Sequence, residues 1–418
     1  MSASARFGAL SDIRVIDLTQ MLAGPFGSMV LADHGAEVVK IEATGDGDMT
    51  RLAGPYREDD RVRAIGGYFQ SVNRNKKSVC LDLKSPAGQE AFLALVRDAD
   101  VVVENFRAGV MDRLGLSYER LKAVNPKLVY GALRGFGDPR TGASPYGDWP
   151  AFDVVAQAMG GVMAITGPPG GPPTKVGPGI GDLIPGLMLA FGVLAAVHHA
   201  RRTGEGQFVD VSMVDSILAI CERTVWQNSV EGLVPAPDGN HHPFLCPFGV
   251  YPAADGHVTV AAHDDGFFKV FCDQLGIEDL PTDPRFARRL DRTANRHELI
   301  PRIGSYTARF TKVELTERLG GKIPFAPVLN IAEIMADPHA ASREMIVEVT
   351  APGGRPTKVA GVPVKMTGTP GGVHARAPLL GEHTVEMLRR AGVAQADIDA
   401  LLASNAAFSQ SEAELLKQ

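Results

Sequence analysis

Residues 13–42 read IRVIDLTQMLAGPFGSMVLADHGAEVVKIE, and this stretch decides the fold class. Residues 13–18 are rich in β-branched side chains and stop at Thr19, the pattern of a short buried strand. Residues 25–34 carry helical spacing, and residues 37–41 form a second strand pattern that closes on Glu42. Strand, helix and strand in such quick succession make a βαβ unit. Glu42 sits where a ribose-binding acid would stand, which invites a dinucleotide reading. That reading fails at the first turn. Ala23-Gly24-Pro25-Phe26-Gly27 lacks the GxGxxG spacing that lets a backbone approach a pyrophosphate.

The alternation continues outward. Residues 79–83, 99–103 and 128–133 read as strands, Pro86 opens a helix at a favoured position, and residues 118–124 form a short helix. Residues 208–213 add a strand and residues 214–226 a helix. The expected fold class is α/β, with an open Rossmann-like sheet whose ligands gather beyond the strand C-termini. Residues 19–25, 104–107 and 134–136 all fall there. Beyond Trp226 the character changes. A loop rich in Pro, Asn and His (232–247) precedes a hairpin pattern (249–251 and 257–261) and helices at 266–275 and 296–309. The predicted organisation is a large α/β domain begun by residues 1–228, a small α+β domain at 229–345, and a return segment, 346–418, that completes the large domain.

Composition narrows the function classes. The 418 residues are 45% hydrophobic and 22% charged, a globular composition long enough for two domains. A formal net charge of -6 argues against a nucleic-acid surface but leaves room for a local basic pocket. Cys80, Cys221, Cys246 and Cys272 are widely spaced with no CxxC, which fits a reducing compartment better than a disulfide framework. The first six residues hold no apolar run, so no signal peptide is expected. Residues 183–197 are apolar but include Pro185, Gly186 and Gly192, and fall short of the roughly 20 residues that cross a bilayer. A buried helix in a soluble, cytoplasmic protein is the expectation. No metal is expected either: the adjacent His241 and His242 point different ways, and no HExxH spacing occurs.

The chemistry concentrates in residues 151–215. Asp153, Gln157, Gly160-Gly161 and the loop Gly167-Pro168-Pro169-Gly170-Gly171 precede Gly181-Asp182, an apolar helix and Arg202-Thr203-Gly204-Glu205-Gly206-Gln207. At a helix entrance Asp182 has two uses. It can cap free N–H groups, or attack an electrophile while nearby N–H groups hold the developing charge. Arg51, Arg74, Lys76, Lys77, Arg107 and Arg113 include several bases near predicted strand ends, where they can clamp a phosphorylated molecule or simply confer solubility.

Taken with Asn73-Arg74-Asn75-Lys76-Lys77-Ser78, Glu104-Asn105-Phe106-Arg107, Asp112-Arg113-Leu114-Gly115 and Arg376-Ala377-Pro378-Leu379-Leu380-Gly381-Glu382-His383-Thr384, these stretches resemble the class III coenzyme A transferases. That family includes the formyl-CoA and carnitine-CoA transferases. The resemblance is dense over residues 10–230 and 375–390 and loose between. It implies a large domain built from both chain ends and an interlocked homodimer. A coenzyme A thioester is the implied co-substrate, with no permanently bound cofactor. The resemblance puts the catalytic aspartate on Asp182, which would form an aspartyl anhydride and then an aspartyl-CoA thioester. Asp153 falls where a supporting glutamate stands, and Gly160, Gly161 or the 167–171 loop would supply oxyanion N–H groups. Coenzyme A contacts fall on Asn105, Phe106 and Arg113, with Lys76 and Lys77 as weaker candidates.

Departures from formyl-CoA transferase refine the expectation. Leu22 replaces a substrate-contacting glutamine, Pro150 replaces a lysine, and Asn240-His241-His242 stands where a tetraglycine lid is absent. These argue against an oxalate or formate specialist. The expected acceptor is a small dicarboxylate such as succinate, mesaconate, itaconate, malate or citramalate, with Leu22, Arg74, His241 and His242 as substrate contacts. Transfer between two carboxylates of one molecule and α-methylacyl-CoA racemisation are the alternatives, followed by a non-catalytic coenzyme A-binding protein. The racemases place a histidine before the position of Asp153, where this chain has Phe152.

Overall fold

The computed structural model describes residues 7–56, 58 and 66–415. The six N-terminal residues on which the signal-peptide expectation rests lie outside that range. Strands β1 (Arg14–Asp17), β2 (Glu37–Glu42), β3 (Lys77–Leu81), β4 (Val101–Glu104), β5 (Val129–Arg134) and β6 (Phe208–Ser212) come first in the chain. They are followed by β7 (Phe248–Ala253), β8 (Gly256–Ala261), β9 (Phe325–Pro327), β10 (Ile346–Ala351), β11 (Arg355–Ala360) and β12 (Ala407–Phe408). The main sheet runs β12-β3-β2-β1-β4-β5-β6, parallel except for β12, which pairs antiparallel with β3. β1 is flanked by both β2 and β4, with Val15 opposite Val38 on one side and Val101 on the other. The strand order therefore reverses at β1 and β4. In open α/β sheets this switch point opens the crevice that takes ligands.

Strands buried on both faces need apolar side chains both ways, and helices supply the cover. On one face Ile16, Val39 and Val102 pack with Phe92 and Leu95 of the helix Pro86–Val96 and with Leu388 and Leu401 of the returning C-terminal segment. On the other, Val15, Val38 and Val101 meet Leu31 of the helix Ala23–Asp33 and Leu189 and Val193 of the helix Ile180–Thr203. Those two helices touch through glycines. A Cβ on Gly27 would lie 2.4 Å from the Gly186 carbonyl oxygen, and one on Gly186 equally close to that of Ala23. Any side chain at either position would force the pair apart.

The helix Ile180–Thr203 is longer than its apolar run suggests. At 24 residues it is long and apolar enough to cross a membrane by length and composition alone. Only one face is buried: Leu189, Val193, Ala196 and Val197 point inward, while Leu187, Met188 and Phe191 are exposed. The helix expected at 214–226 is two, Met213–Ala219 and Glu222–Glu231.

The chain divides into two compact units, one of residues 1–162, 176–226 and 339–418, the other of 163–175 and 227–338. The main sheet and its helices belong to the first. In the second, the antiparallel sheet β7-β8-β9 packs Tyr251 and Val260 with Phe268, Phe271, Leu299 and Ile303. Residues 163–175 join this second unit, whereas the sequence pattern puts them in the large domain. The Gly167 carbonyl accepts the Gly239 N–H at 3.0 Å and ties the loop there.

The C-terminal return is fastened by charge as well as packing. Glu37 of β2 accepts from Arg390 at 2.6 and 3.2 Å and from Arg14 at 2.9 Å. Burial works to raise the Glu37 carboxyl, but the Arg390 hydrogen bonds and charge, with Lys77 and Arg14, hold it down from 4.5 to about 2. A depressed carboxyl adds stability above its unfolded value and loses it as pH falls through the folded one. Glu37→Gln is expected to cost about 1–2 kcal/mol at pH 7 in urea unfolding. Its deficit should shrink as pH falls from 4.5 toward 2, and a deficit that stays constant over that range would contradict the assignment.

Candidate active site

Asp182 lies in the first turn of the helix Ile180–Thr203, three residues after the N-cap Gly179. It is therefore not the cap that its position in the sequence also allowed. Another carboxylate does that work: Asp153 Oδ1 accepts the Gly181 N–H at 2.8 Å. Gln157, fully buried, donates to the same Oδ1 at 2.8 Å, and its own carbonyl accepts the Val176 N–H at 2.9 Å. Gly181 is required here, because a Cβ would lie 2.4 Å from the Asp153 carbonyl oxygen. Asp153 and Gln157 thus pin both ends of residues 176–181 and fix the approach to Asp182. The half-buried Asp182 carboxylate sits at the positive end of a long helix, which favours negative charge.

Tyr68 belongs to this neighbourhood and was missed from the sequence. Burial, then the charges of Asp182, Asp153 and Asp48, push its phenol above the usual value. Nothing in the spacing of Gly67-Tyr68-Phe69 marks it, so only the tertiary arrangement reveals it.

The turn after β1 runs along the switch point, and side chains from other strand ends hold it. Asp17 Oδ1 accepts from the Thr19 N–H and hydroxyl at 2.8 and 2.5 Å, and Lys40 Nζ donates to the Thr19 carbonyl at 2.5 Å. The Asn105 amide grips Gln20 twice, accepting from its N–H at 2.8 Å and donating to its carbonyl at 2.7 Å. Asp48 Oδ1 lies 3.4 Å from the Met21 nitrogen. Leu22 follows, its Cδ2 3.2 Å from where a Cβ on Gly179 would stand. Leu22 is thereby brought against the entrance of the Asp182 helix. Beyond β4, Phe106 is half-buried beside the core, and Arg113 is exposed with its guanidinium over Gly109.

Other sequence candidates have different tasks. Lys76 is fully buried and donates to Asp17 at 3.0 Å, Pro25 at 2.9 Å and Asn73 at 2.8 Å, so all three of its N–H groups are engaged. Lys77 pairs with Glu386 at 2.7 Å and lies 3.5 Å from Glu37. Arg74, also buried, makes a two-pronged pair with Asp33 at 3.0 and 2.6 Å and donates to the Ala360 carbonyl at 2.8 Å. It is a clamp between the helix Ala23–Asp33 and β11, with all three guanidinium nitrogens engaged by protein groups. Gly160 gives its N–H to the Ala156 carbonyl at 2.8 Å and packs on Ile217, so that N–H is not held for an oxyanion. Gly161 adopts a left-handed turn with open space at its Cβ position. His241 and His242 lie in the second unit. The His241 ring packs on Tyr251, and His242 Nδ1 accepts from the Phe244 N–H at 3.1 Å. A cavity of about 710 Å³ in that unit is lined by His241, His257 and the 165–169 loop.

A carboxylate at a helix entrance beside a Rossmann-type switch point, without a dinucleotide loop, defines an α/β enzyme with a candidate carboxylate nucleophile. Residues 10–384 match the CoA-transferase family III, and the chain belongs to that family as a class III CoA-transferase. It is 51% identical over 387 residues to the succinyl-CoA:mesaconate CoA-transferase of Haloarcula hispanica, covering 92% of this chain and 97% of the relative. It is 41% identical to the acetyl-CoA:oxalate CoA-transferase of Acetobacter aceti, covering 85% and 90%. Among solved structures, a CAIB/BAIF family protein from Brucella suis superposes with a TM-score of 0.83 at 32% identity, covering 92% of this chain and all of that one.

If Asp153 orients the Asp182 segment, Asp153→Ala should lower kcat by on the order of 10- to 100-fold and leave KM for the acyl-CoA within about threefold. Asp153→Asn, which keeps an oxygen acceptor, should recover part of the loss. Equal rates in all three proteins would remove Asp153 from the site.

Proposed function

We propose that the protein moves coenzyme A from succinyl-CoA, or a similar acyl-CoA, to a small dicarboxylic acid such as mesaconate, through covalent intermediates on Asp182. The observation that carries this reading is the Asp182 carboxylate at the helix entrance, with Asp153 pinning the N–H one residue before it. The Asp182 carboxylate attacks the donor thioester carbonyl, forming a mixed anhydride and releasing coenzyme A thiolate. The thiolate attacks the aspartyl carbonyl, giving an aspartyl-CoA thioester and the free donor acid. The acceptor carboxylate then displaces the thiolate, and the thiolate attacks the acceptor carbonyl of the new anhydride. Product leaves and the Asp182 carboxylate is restored. The anhydrides hydrolyse readily, so the site must exclude water.

Two observations favour a larger acceptor than oxalate. The relative with 51% identity is named for mesaconate and the one with 41% for oxalate. Leu22 also puts an apolar wall beside the Asp182 entrance, which suits an acceptor with carbon between its carboxylates. Phe106 and Arg113 are taken as coenzyme A contacts, since a ring and an exposed guanidinium at the switch point suit an adenine nucleotide. His241 and His242 are kept as acceptor contacts on their chemistry alone, as side chains able to recognise a second carboxylate.

The reading includes an interlocked homodimer. Leu187 and Phe191 on the outer face of the Asp182 helix, Phe152 just before the Asp153 helix, and Trp226 are all exposed, Phe191 at 73%. Apolar side chains this large and exposed support a face that a second copy of the chain would cover. A cytoplasmic location is also part of the reading, and four unpaired, buried cysteines support it.

Wild-type protein with succinyl-CoA is expected to form mesaconyl-CoA at least tenfold faster than oxalyl-CoA at matched acceptor concentration. Asp182→Ala should lower the rate by on the order of 10⁴-fold or more. In deuterated water a 2-methylacyl-CoA should keep its α-proton, because racemisation needs two bases facing one carbon. Rapid α-proton exchange without coenzyme A transfer would replace this reading with the racemase.

A further inference from the structure

Met21 has φ of +69°, a left-handed conformation that costs an L-residue energy and persists only where the surroundings enforce it. It is neither glycine nor asparagine, the residues that tolerate this region best. The surroundings that enforce it are specific. Gln20, just before it, is held at both its N–H and its carbonyl by the single amide of Asn105, 85 positions away. The Met21 N–H points to Asp48 Oδ1, whose other oxygen lies 2.9 Å from the buried Lys40 ammonium. Directly after the strained residue comes Leu22, against Gly179 at the cap of the Asp182 helix.

We propose that Asn105 and Asp48 are positioning residues that hold the Gln20–Met21 turn in its strained form, so that Leu22 is fixed as the acceptor-facing wall beside Asp182. This assigns the Asn105 amide to the enzyme's own backbone, a different task from the coenzyme A contact that the sequence resemblance implies. It rests on the transferase reading for its consequence, though not for its geometry. The acceptor is then selected by an apolar side chain whose place is set by the clamped turn, and releasing the clamp frees Leu22 without removing it.

The test compares Met21→Gly, Met21→Ala and Asn105→Ala with wild type. Met21→Gly permits the left-handed turn at no steric cost and leaves the Asn105 and Asp48 contacts in place, so it should keep or raise Tm and stay within about threefold of wild-type kcat. Met21→Ala keeps both the strain and the clamp and should also stay within about threefold. Asn105→Ala removes the clamp, and positioning predicts a loss on the order of 10- to 100-fold in kcat with a lower ratio of mesaconate to oxalate transfer, whereas a merely structural role predicts a lower Tm with that ratio unchanged. Hydrogen exchange of the Gln20–Leu22 amides reads the clamp independently of activity, and should be faster in Asn105→Ala but not in Met21→Gly. Unaltered exchange in Asn105→Ala, or faster exchange there with wild-type kcat and acceptor ratio, would overturn the proposal. A wild-type protein that transfers no coenzyme A would defeat the transferase reading, a separate failure, since the amide exchange still decides the clamp.

Discussion

The large unit depends on how it accommodates two buried ammonium groups. The side chains of Lys40 and Lys76 are fully buried, and an unpaired charge in such a place would cost several kcal/mol. Each is therefore matched, Lys40 by Asp48 at 2.9 Å and Lys76 by Asp17 at 3.0 Å. Burial pushes the Asp17 carboxyl up, but Lys76 and Lys40 outweigh it and hold it below its usual range. Satisfying these charges fixes the paths of several loops at once. The 19–22 turn follows Lys40, Asp17 and Asp48; residues 48–51 follow Glu42, which also binds Arg51 at 2.6 and 2.7 Å. A site is thereby built from segments that the strand order alone would leave free.

A second constraint brings the helix of the candidate nucleophile to this turn. The glycine contacts at Gly27 and Gly186 let the helices Ala23–Asp33 and Ile180–Thr203 meet backbone to backbone. Their N-terminal ends then lie together, one led in by Leu22 and the other by Gly179. Asp153 supplies the cap that the second helix lacks, leaving Asp182 one residue beyond the capped N–H. Backbone proximity, charge matching and remote capping thus converge on one carboxylate.

The architecture was legible in the sequence because parallel buried strands are nearly unbroken runs of β-branched residues. Residues 13–18 and 37–41 needed little adjustment, and the helix Tyr118–Val124 needed none. The strand expected at 79–83 begins at Lys77 instead, since Lys77 and Ser78 pair in register with Val39 and Lys40 of β2. Individual side-chain tasks were harder to read. Arg74 and Lys76 look like phosphate-binding cations in a linear string, yet their partners, Asp33 and Asp17, lie 41 and 59 positions away. Whether a base faces a ligand or a carboxylate is a property of burial, and no local pattern encodes it. Tyr68 escaped for the same reason, since the three carboxylates that bear on it come from distant segments.

The central claim is that Asp182 carries the acyl group and then coenzyme A. Intact-protein mass spectrometry after incubation with succinyl-CoA and an acid quench tests it most directly, with Asp182→Ala treated alongside. The account predicts a succinyl or coenzyme A adduct that maps by peptide analysis to Asp182, is absent from the variant, and disappears when mesaconate is added to the wild type. Full turnover with no adduct, or an adduct on another residue that survives in Asp182→Ala, would contradict it.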